Sequence, residues 1–194
     1  MPKKRGTKGT PMLGIYLRLL DTEEEQTRFR QLYEKYRNLM FYVAKGILKD
    51  DYLTEDAVHE AFIRIAKNFS KIGEISCPQT KNFAVIIVRN VALTMLEKER
   101  QNTHEEYDDG LHSVSIDPAS DSDPDTSVLK ASEYEALLNA VTELPDMYRD
   151  TLYLRYFNDF NMSEIASALG ISKEAAKKRS QRAVKMLADI MKRK

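Results

Sequence analysis

The stretch Asn161-Met162-Ser163-Glu164-Ile165-Ala166-Ser167-Ala168-Leu169-Gly170-Ile171-Ser172-Lys173-Glu174-Ala175-Ala176-Lys177-Lys178-Arg179-Ser180-Gln181-Arg182-Ala183-Val184-Lys185-Met186-Leu187 decides how this chain is read. Asn161 and Glu164, three residues apart, have the form of a capping box. The Asn161 side chain accepts from the Glu164 backbone N–H, and the Glu164 carboxylate reaches back. Ile165, Ala166 and Leu169 then supply the packed face of a short helix, and Gly170 falls where a left-handed residue ends it. Ile171 plugs the turn, and Ser172 caps a longer helix whose inner side reads Ala176, Ser180, Ala183 and Leu187. Two helices joined so closely, with the small Ala166 at their corner, make a helix-turn-helix. Rotating the second helix sets Lys173, Glu174, Lys177, Lys178 and Gln181 on its outer face, where they can read base edges or grip phosphates in a major groove. Arg179 and Arg182 lie on the flanks and suit backbone phosphates. The plainer reading is an amphipathic helix with solvated charges; the capped helix and Gly170 in front of it favour DNA contact.

Outward from this motif, the composition points to an all-α chain. Of 194 residues 31% are charged, and only seven glycines and six prolines punctuate them, too few for many short strands and tight turns. The length suits two small helical domains. A formal net charge of zero hides a strong segregation. Between Gln101 and Ser127 lie eight acidic residues, from Glu105 to Asp125, and no lysine or arginine, whereas Lys173 to Lys194 is dominated by lysine and arginine. A polyanion meets the local field rather than the sum. The single cysteine, Cys77, excludes an internal disulfide framework and a Cys-rich zinc site. No apolar run approaches the roughly 20 residues that span a bilayer. The basic start, Met1 to Arg5, lacks the apolar stretch of a secretory signal. The expected location is cytoplasmic, with no membrane partner.

Residues 1–21 read as a weakly ordered extension, basic and containing glycine and proline over 1–11. After Thr22, Leu32, Tyr36, Leu39, Val43 and Ile47 form one helical face. Thr54 is the expected cap of a second helix, with Glu55 and Asp56 in its first turn and Val58, Phe62, Ile65 and Phe69 as its stripe. Gly73 to Pro78 is a turn. A third helix runs from about Thr80 to Arg100 with Phe83, Ile86, Ile87, Asn90, Val91 and Thr94 along one side. These helices make a domain over 22–100. The acidic 101–127, with Asp-Pro twice, is a flexible linker, and 128–194 is the second domain. In it Tyr134, Leu137, Leu138, Val141 and Leu144 form a stripe that ends at Pro145.

Other chemistry finds no support. His59-Glu60 begins like a metalloprotease motif, but Ile63 stands where the second histidine is needed. Asp121, Asp123 and Asp125 mimic a calcium loop in which Thr126 replaces the glycine and Ser132 the bidentate glutamate. His104 and His112 fall in the linker. No catalytic residue, metal or cofactor is expected, and the chain is not read as an enzyme.

Leu144-Pro145-Asp146-Met147-Tyr148-Arg149, Tyr156-Phe157 and Ser163-Glu164-Ile165-Ala166 through Ala183 resemble the C-terminal domain of bacterial sigma factors of the sigma-70 family, extracytoplasmic-function type. In that family this domain seeks the promoter −35 element. Independently, Glu55-Asp56-Ala57-Val58-His59-Glu60-Ala61-Phe62-Ile63-Arg64-Ile65 resembles the helix that grips the β′ clamp helices of RNA polymerase. Asn82-Phe83 through Val88-Arg89-Asn90-Val91-Ala92-Leu93 resembles the helix that opens the −10 element. The resemblance implies core-polymerase contacts at Asp56, His59, Glu60, Phe62 and Ile63, with Phe62 also on the apolar stripe. It implies −10 contacts at Arg89, Asn90, Lys98 and Arg100, and −35 contacts at Lys173, Glu174, Lys177, Lys178, Arg179, Gln181 and Arg182. The implied partners are core RNA polymerase (β′ clamp helices and β flap), promoter DNA and, as in many relatives, an anti-sigma factor. The chain departs from the family pattern at His59 (commonly glutamine), at Thr94 and Glu97 (commonly aspartate and arginine), and at Ser180 (commonly leucine). Thr94 and Glu97 weaken phosphate attraction on the −10 helix. A two-domain regulator that binds DNA as a dimer would share Asn161–Leu187 but has no use for Glu55–Ile65. A pure interaction protein pairing acidic and basic segments is the third reading.

Overall fold

The computed structural model describes residues 11–103 and 136–193, and every regular element among them is a helix. The first domain opens with α1 (Pro11–Leu17) and α2 (Glu23–Leu48). Thr22 caps α2 by accepting from the Glu25 N–H, with Glu23, Glu24 and Glu25 at the positive end of the helix dipole. Its buried face runs from Phe29 and Leu32 through Tyr36 and Met40 to Leu48. At Lys49 the chain takes a left-handed conformation, φ 58°, and turns into α3 (Asp51–Lys67).

The cap of α3 is not Thr54. Asp50 stands four residues earlier, and its carboxylate accepts from the Leu53 N–H at 2.9 Å, satisfying an orphan donor of the first turn. Thr54 is buried inside the helix, where its hydroxyl donates back to the Asp50 carbonyl. A short 3-10 turn, Phe69–Lys71, and the loop to Cys77 lead into α4 (Pro78–Thr103), which extends beyond the expected bounds at both ends. This loop is tied down by Arg28, whose guanidinium donates to the carbonyls of Ile72 and Gly73, and by the Tyr36 hydroxyl on the Ile75 carbonyl.

The second domain comprises a helical stretch over 136–142 (α5), then α6 (Asp146–Tyr156), α7 (Met162–Leu169) and α8 (Lys173–Met191). Pro145, with φ −54°, ends the preceding helix and starts α6. The expected linker lies, apart from its first residues in α4, outside the described residues, as do His104, His112 and the Asp121–Asp125 cluster.

Two findings concern packing. The segment expected to be weakly ordered contains α1, and Tyr16, Leu17 and Leu20 are buried against the first domain. Leu13, Tyr16, Leu17 and Leu20 recur at helical spacing, which drives that docking. Tyr16 joins Phe29, Tyr33, Phe62 and Phe69 in an aromatic cluster with ring centroids 4.8–6.1 Å apart. The second concerns a point the sequence left open: the two domains pack against each other. A small core of Leu144, Leu152 and Ala183 belongs to the second domain alone. Tyr153, Leu154, Phe160, Ile165, Ala168 and Leu169 instead join the core of the first domain. Every residue of α4 from Asn82 to Arg89 is therefore buried, with α2 and α3 on one side and the second domain on the other.

Candidate polymerase-facing and DNA-facing surfaces

The helix-turn-helix is built by local chemistry. Asn161 Oδ1 accepts from the N–H groups of Ser163 and Glu164 at 2.9 and 3.1 Å, and Glu164 Oε2 accepts from the Asn161 N–H at 2.8 Å. Gly170 takes φ 67°, its N–H closing on the Ala166 carbonyl. The Ser172 hydroxyl accepts from the Ala175 N–H and starts α8. Ala176 and Ala183 face inward with no exposed surface, so α8 approaches its neighbours closely. Its outer face presents Lys173, Glu174, Lys177, Lys178, Gln181 and Arg182 to solvent, with Arg179 half-buried on the flank. Ser180 is half-buried at the edge of the inner face.

On α3, Asp56 is exposed. Glu60 is half-buried and pairs with Arg64 Nε at 2.8 Å, one helical turn on. His59 Nδ1 lies 2.7 Å from the Tyr16 hydroxyl, so α1 covers one side of the imidazole. Burial pushes the Tyr16 phenol up to about 12. Ile63 packs partly buried against the core. Phe62 has no exposed surface, its ring 4.8 Å from Tyr33 and 5.5 Å from Tyr16. It holds the domain together and cannot touch another protein.

The four residues expected at the −10 element divide. Lys98 is exposed and Arg100 half-buried near the end of α4. Arg89 is 2% exposed, among the largest fully covered side chains of the molecule. Its guanidinium pairs with the Asp150 carboxylate on α6 and lies 3.4 Å from Asp146 Oδ2. Asn90 Nδ2 donates to the other Asp150 oxygen at 2.8 Å. Arg89 and Asn90 therefore face the second domain, not solvent. Thr94 is exposed, its hydroxyl donating to the Asn90 carbonyl, and Glu97 accepts from Gln101. Burial pushes the Asp150 carboxyl up, against the pull of Arg89 and the Asn90 amide.

Among the described residues no group of three His, Cys, Asp or Glu could hold a metal ion, and no helix is long and apolar enough to cross a membrane.

A model of sigma-70 region 2 matches residues 32–102, and a model of sigma-70 region 4 matches residues 134–187. The chain is 25% identical over 142 residues to the ECF RNA polymerase sigma factor SigM of Bacillus subtilis, covering 73% of this chain and 82% of that protein. It is a sigma-70 family protein of the extracytoplasmic-function type. This sigma-70 chain is also 28% identical over 151 residues to the probable RNA polymerase sigma factor RfaY of Xanthomonas campestris pv. campestris. The match takes in 76% of the chain and spans only about a third, 36%, of that relative. The sigma factor RpoE of Bartonella quintana, solved with the anti-sigma factor NepR, shares 19% identity over 84% of this chain and 96% of its own, at a TM-score of 0.37.

The region 2 match contains α3 and all but the last residue of α4, and the region 4 match contains α6, α7 and nearly all of α8. Reading the sequence missed the partners that join them. Asp146, Asp150 and Tyr153 recur at four- and three-residue spacing, one face of α6, and meet Arg89, Asn90 and Asn82. That spacing is readable in the sequence, but nothing in it points to the partner on α4. Arg64 was missed too, although its guanidinium lies against the Gly170 turn.

Proposed function

We propose that this sigma-70 family chain is a dissociable initiation subunit that binds core RNA polymerase and directs it to promoters through −10 and −35 elements. The observation that carries the reading is the exposed basic face of α8, set on a capped helix-turn-helix, in a chain whose other half matches region 2. Lys173, Glu174, Lys177, Lys178 and Gln181 enter the −35 major groove, with Arg179 and Arg182 on the flanking phosphates. Asp56 and Glu60, with His59 and Ile63 beside them, meet the polymerase clamp. Arg89, Asn90, Lys98 and Arg100 take the −10 strand once α4 is accessible. The two functional units are 22–100 and 128–194. The chain itself makes and breaks no bond; the polymerase does the chemistry, in the cytoplasm where it works.

Gel filtration with purified core polymerase tests this reading. The wild-type chain co-elutes with core, and Asp56→Arg, which reverses the charge of an exposed side chain without touching the core, abolishes co-elution. Failure of the wild type to co-elute would overturn the assignment and favour a regulator acting on DNA alone. Unchanged co-elution of Asp56→Arg would remove α3 as the docking helix.

A further inference from the structure

Tyr16 lies outside the part of the chain that matches region 2, which begins at residue 32, yet its hydroxyl meets a side chain of α3. The residue is 2% exposed and packs on Phe29, Tyr33 and Phe62. A phenylalanine would fill that place without burying a hydroxyl, so the oxygen needs a partner. Among the described residues its one hydrogen-bond partner is His59 Nδ1, at 2.7 Å. The imidazole also touches the phenol, with ring centroids 5.3 Å apart and the planes tilted by 42°.

The hydroxyl is the donor in this bond. Burial, with Tyr33 beside it, holds the phenol in its protonated form against the pull of Arg37. If Nδ1–H donated to the oxygen instead, the hydroxyl proton would be left buried without an acceptor, since Arg37 carries donors only. Nδ1 is therefore the acceptor, and a neutral imidazole that accepts at Nδ1 carries its proton on Nε2. The hydrogen bond and the ring contact together also fix which way the imidazole points. Nε2 makes no hydrogen bond among the described residues and is not enclosed by them. His59 shares its side of α3 with Asp56, one turn before it, and with Ile63, one turn after.

We propose that Tyr16 is a positioning residue: its hydroxyl holds His59 in the Nε2–H tautomer and in one ring orientation, which makes His59 a hydrogen-bond donor on the polymerase-facing side of α3. The proposal rests on the reading of His59 as a core-polymerase contact. Glutamine, common at this place in the family, carries amide N–H groups of its own and needs no second residue to supply a donor. A neutral histidine offers either a donor or an acceptor at Nε2, and its partner at Nδ1 settles which. The segment before α2 thus completes the docking face as well as covering the aromatic cluster.

Two measurements on the full chain test this. In the first, 15N-labelled histidine is read by two-bond nitrogen–proton correlations at about pH 8, above the ordinary imidazole range. The His59 signals are those lost in His59→Gln. The wild type shows the Nε2–H pattern, and the Nδ1 resonance moves in Tyr16→Phe as its hydrogen bond is lost. An Nδ1–H pattern in the wild type, or an Nδ1 resonance unmoved by Tyr16→Phe, overturns the proposal.

The second is a double-mutant cycle on the affinity for purified core polymerase. Tyr16→Phe weakens binding about fivefold, the worth of one neutral hydrogen bond. In a His59→Gln background the same change costs less than about twofold, because the amide needs no positioning. An equal loss in both backgrounds means that Tyr16 acts through the packing of α1, and overturns the proposal. No loss in either overturns it too, while leaving the polymerase reading intact. Failure of the wild-type chain to bind core overturns that reading and, with it, the docking role of His59, whatever the tautomer.

Discussion

The guanidinium of Arg64 on α3 lies where a side chain on Gly170 would stand: a Cβ built there would be 2.5 Å from Nη1 and 2.8 Å from Cζ. The turn between α7 and α8 thus needs glycine for its φ of 67°, and a side chain there would also displace the Arg64 guanidinium of the first domain. Among the described residues Arg64 Nη1 is buried with no hydrogen-bond partner, while Nε is held by Glu60. One residue of the helix-turn-helix therefore serves both its own turn and the packing of the domains.

Gly170→Ala should cost about 1–2 kcal/mol from the left-handed conformation alone. It should also weaken domain closure, because Arg64 must move. A urea melt by circular dichroism measures the first; the yield of a carbodiimide cross-link between Lys71 and Glu164, whose Nζ and Oε1 lie 3.5 Å apart between the two domains, measures the second. Arg64→Ala in the same background should restore the cross-link but not the stability. A melting midpoint unchanged by Gly170→Ala would refute the strained-turn account.

Replacing Lys177 and Lys178 with alanine should weaken duplex DNA binding while leaving co-elution with core polymerase intact. Each lysine that meets a phosphate should lower the slope of log K against log salt by about 0.9. Titrations at several salt concentrations separate the alternatives. Weaker binding with an unchanged slope would mean that these lysines contact bases rather than phosphates, and unchanged binding would remove them from the interface.

Tyr16→Phe keeps the aromatic cluster but removes the hydroxyl on His59, so stability should fall by about 0.5–1.5 kcal/mol. The alkaline behaviour follows from burial. The phenol titrates near 12 in the folded chain against 10.0 for an ordinary tyrosine, so the neutral form is the one the fold favours. Its contribution is complete below pH 10 and is lost as pH rises through about 12. Tyrosinate absorbance should show one fewer late-titrating group in Tyr16→Phe. Loss of a group that titrates near pH 10 instead would place Tyr16 in solvent, and α1 with it.

Where the sequence was legible, the relevant physics was local. Asn161 with Glu164, Gly170 and Ser172 act on backbone groups within four residues, so the caps and the turn could be read directly and are found in place. The outer face of α8 followed from helical periodicity alone. Thr54 misled because Asp50, an equally good cap, stood one turn earlier. The expected weak order of residues 1–21 overlooked the short stripe of Leu13, Tyr16, Leu17 and Leu20, whose burial depends on α2 and α3 being ready to receive it.

By itself, then, the sequence determined an all-helical chain with a helix-turn-helix and a basic reading face, and its motifs marked the family. The apolar stripe already placed Phe62 toward the core; only the tertiary structure decided that Tyr16 engages His59, and that Arg89 and Asn90 turn toward Asp150 rather than solvent. The reason is one of range. Caps and periodicity are settled among near neighbours, whereas the attraction between Arg89 and a carboxylate is the same for any of the 30 acidic residues in the chain. Asp150 was selected by the packing of Phe83 on Phe160 and of Tyr153 on Asn82, which brings two residues 61 positions apart into contact.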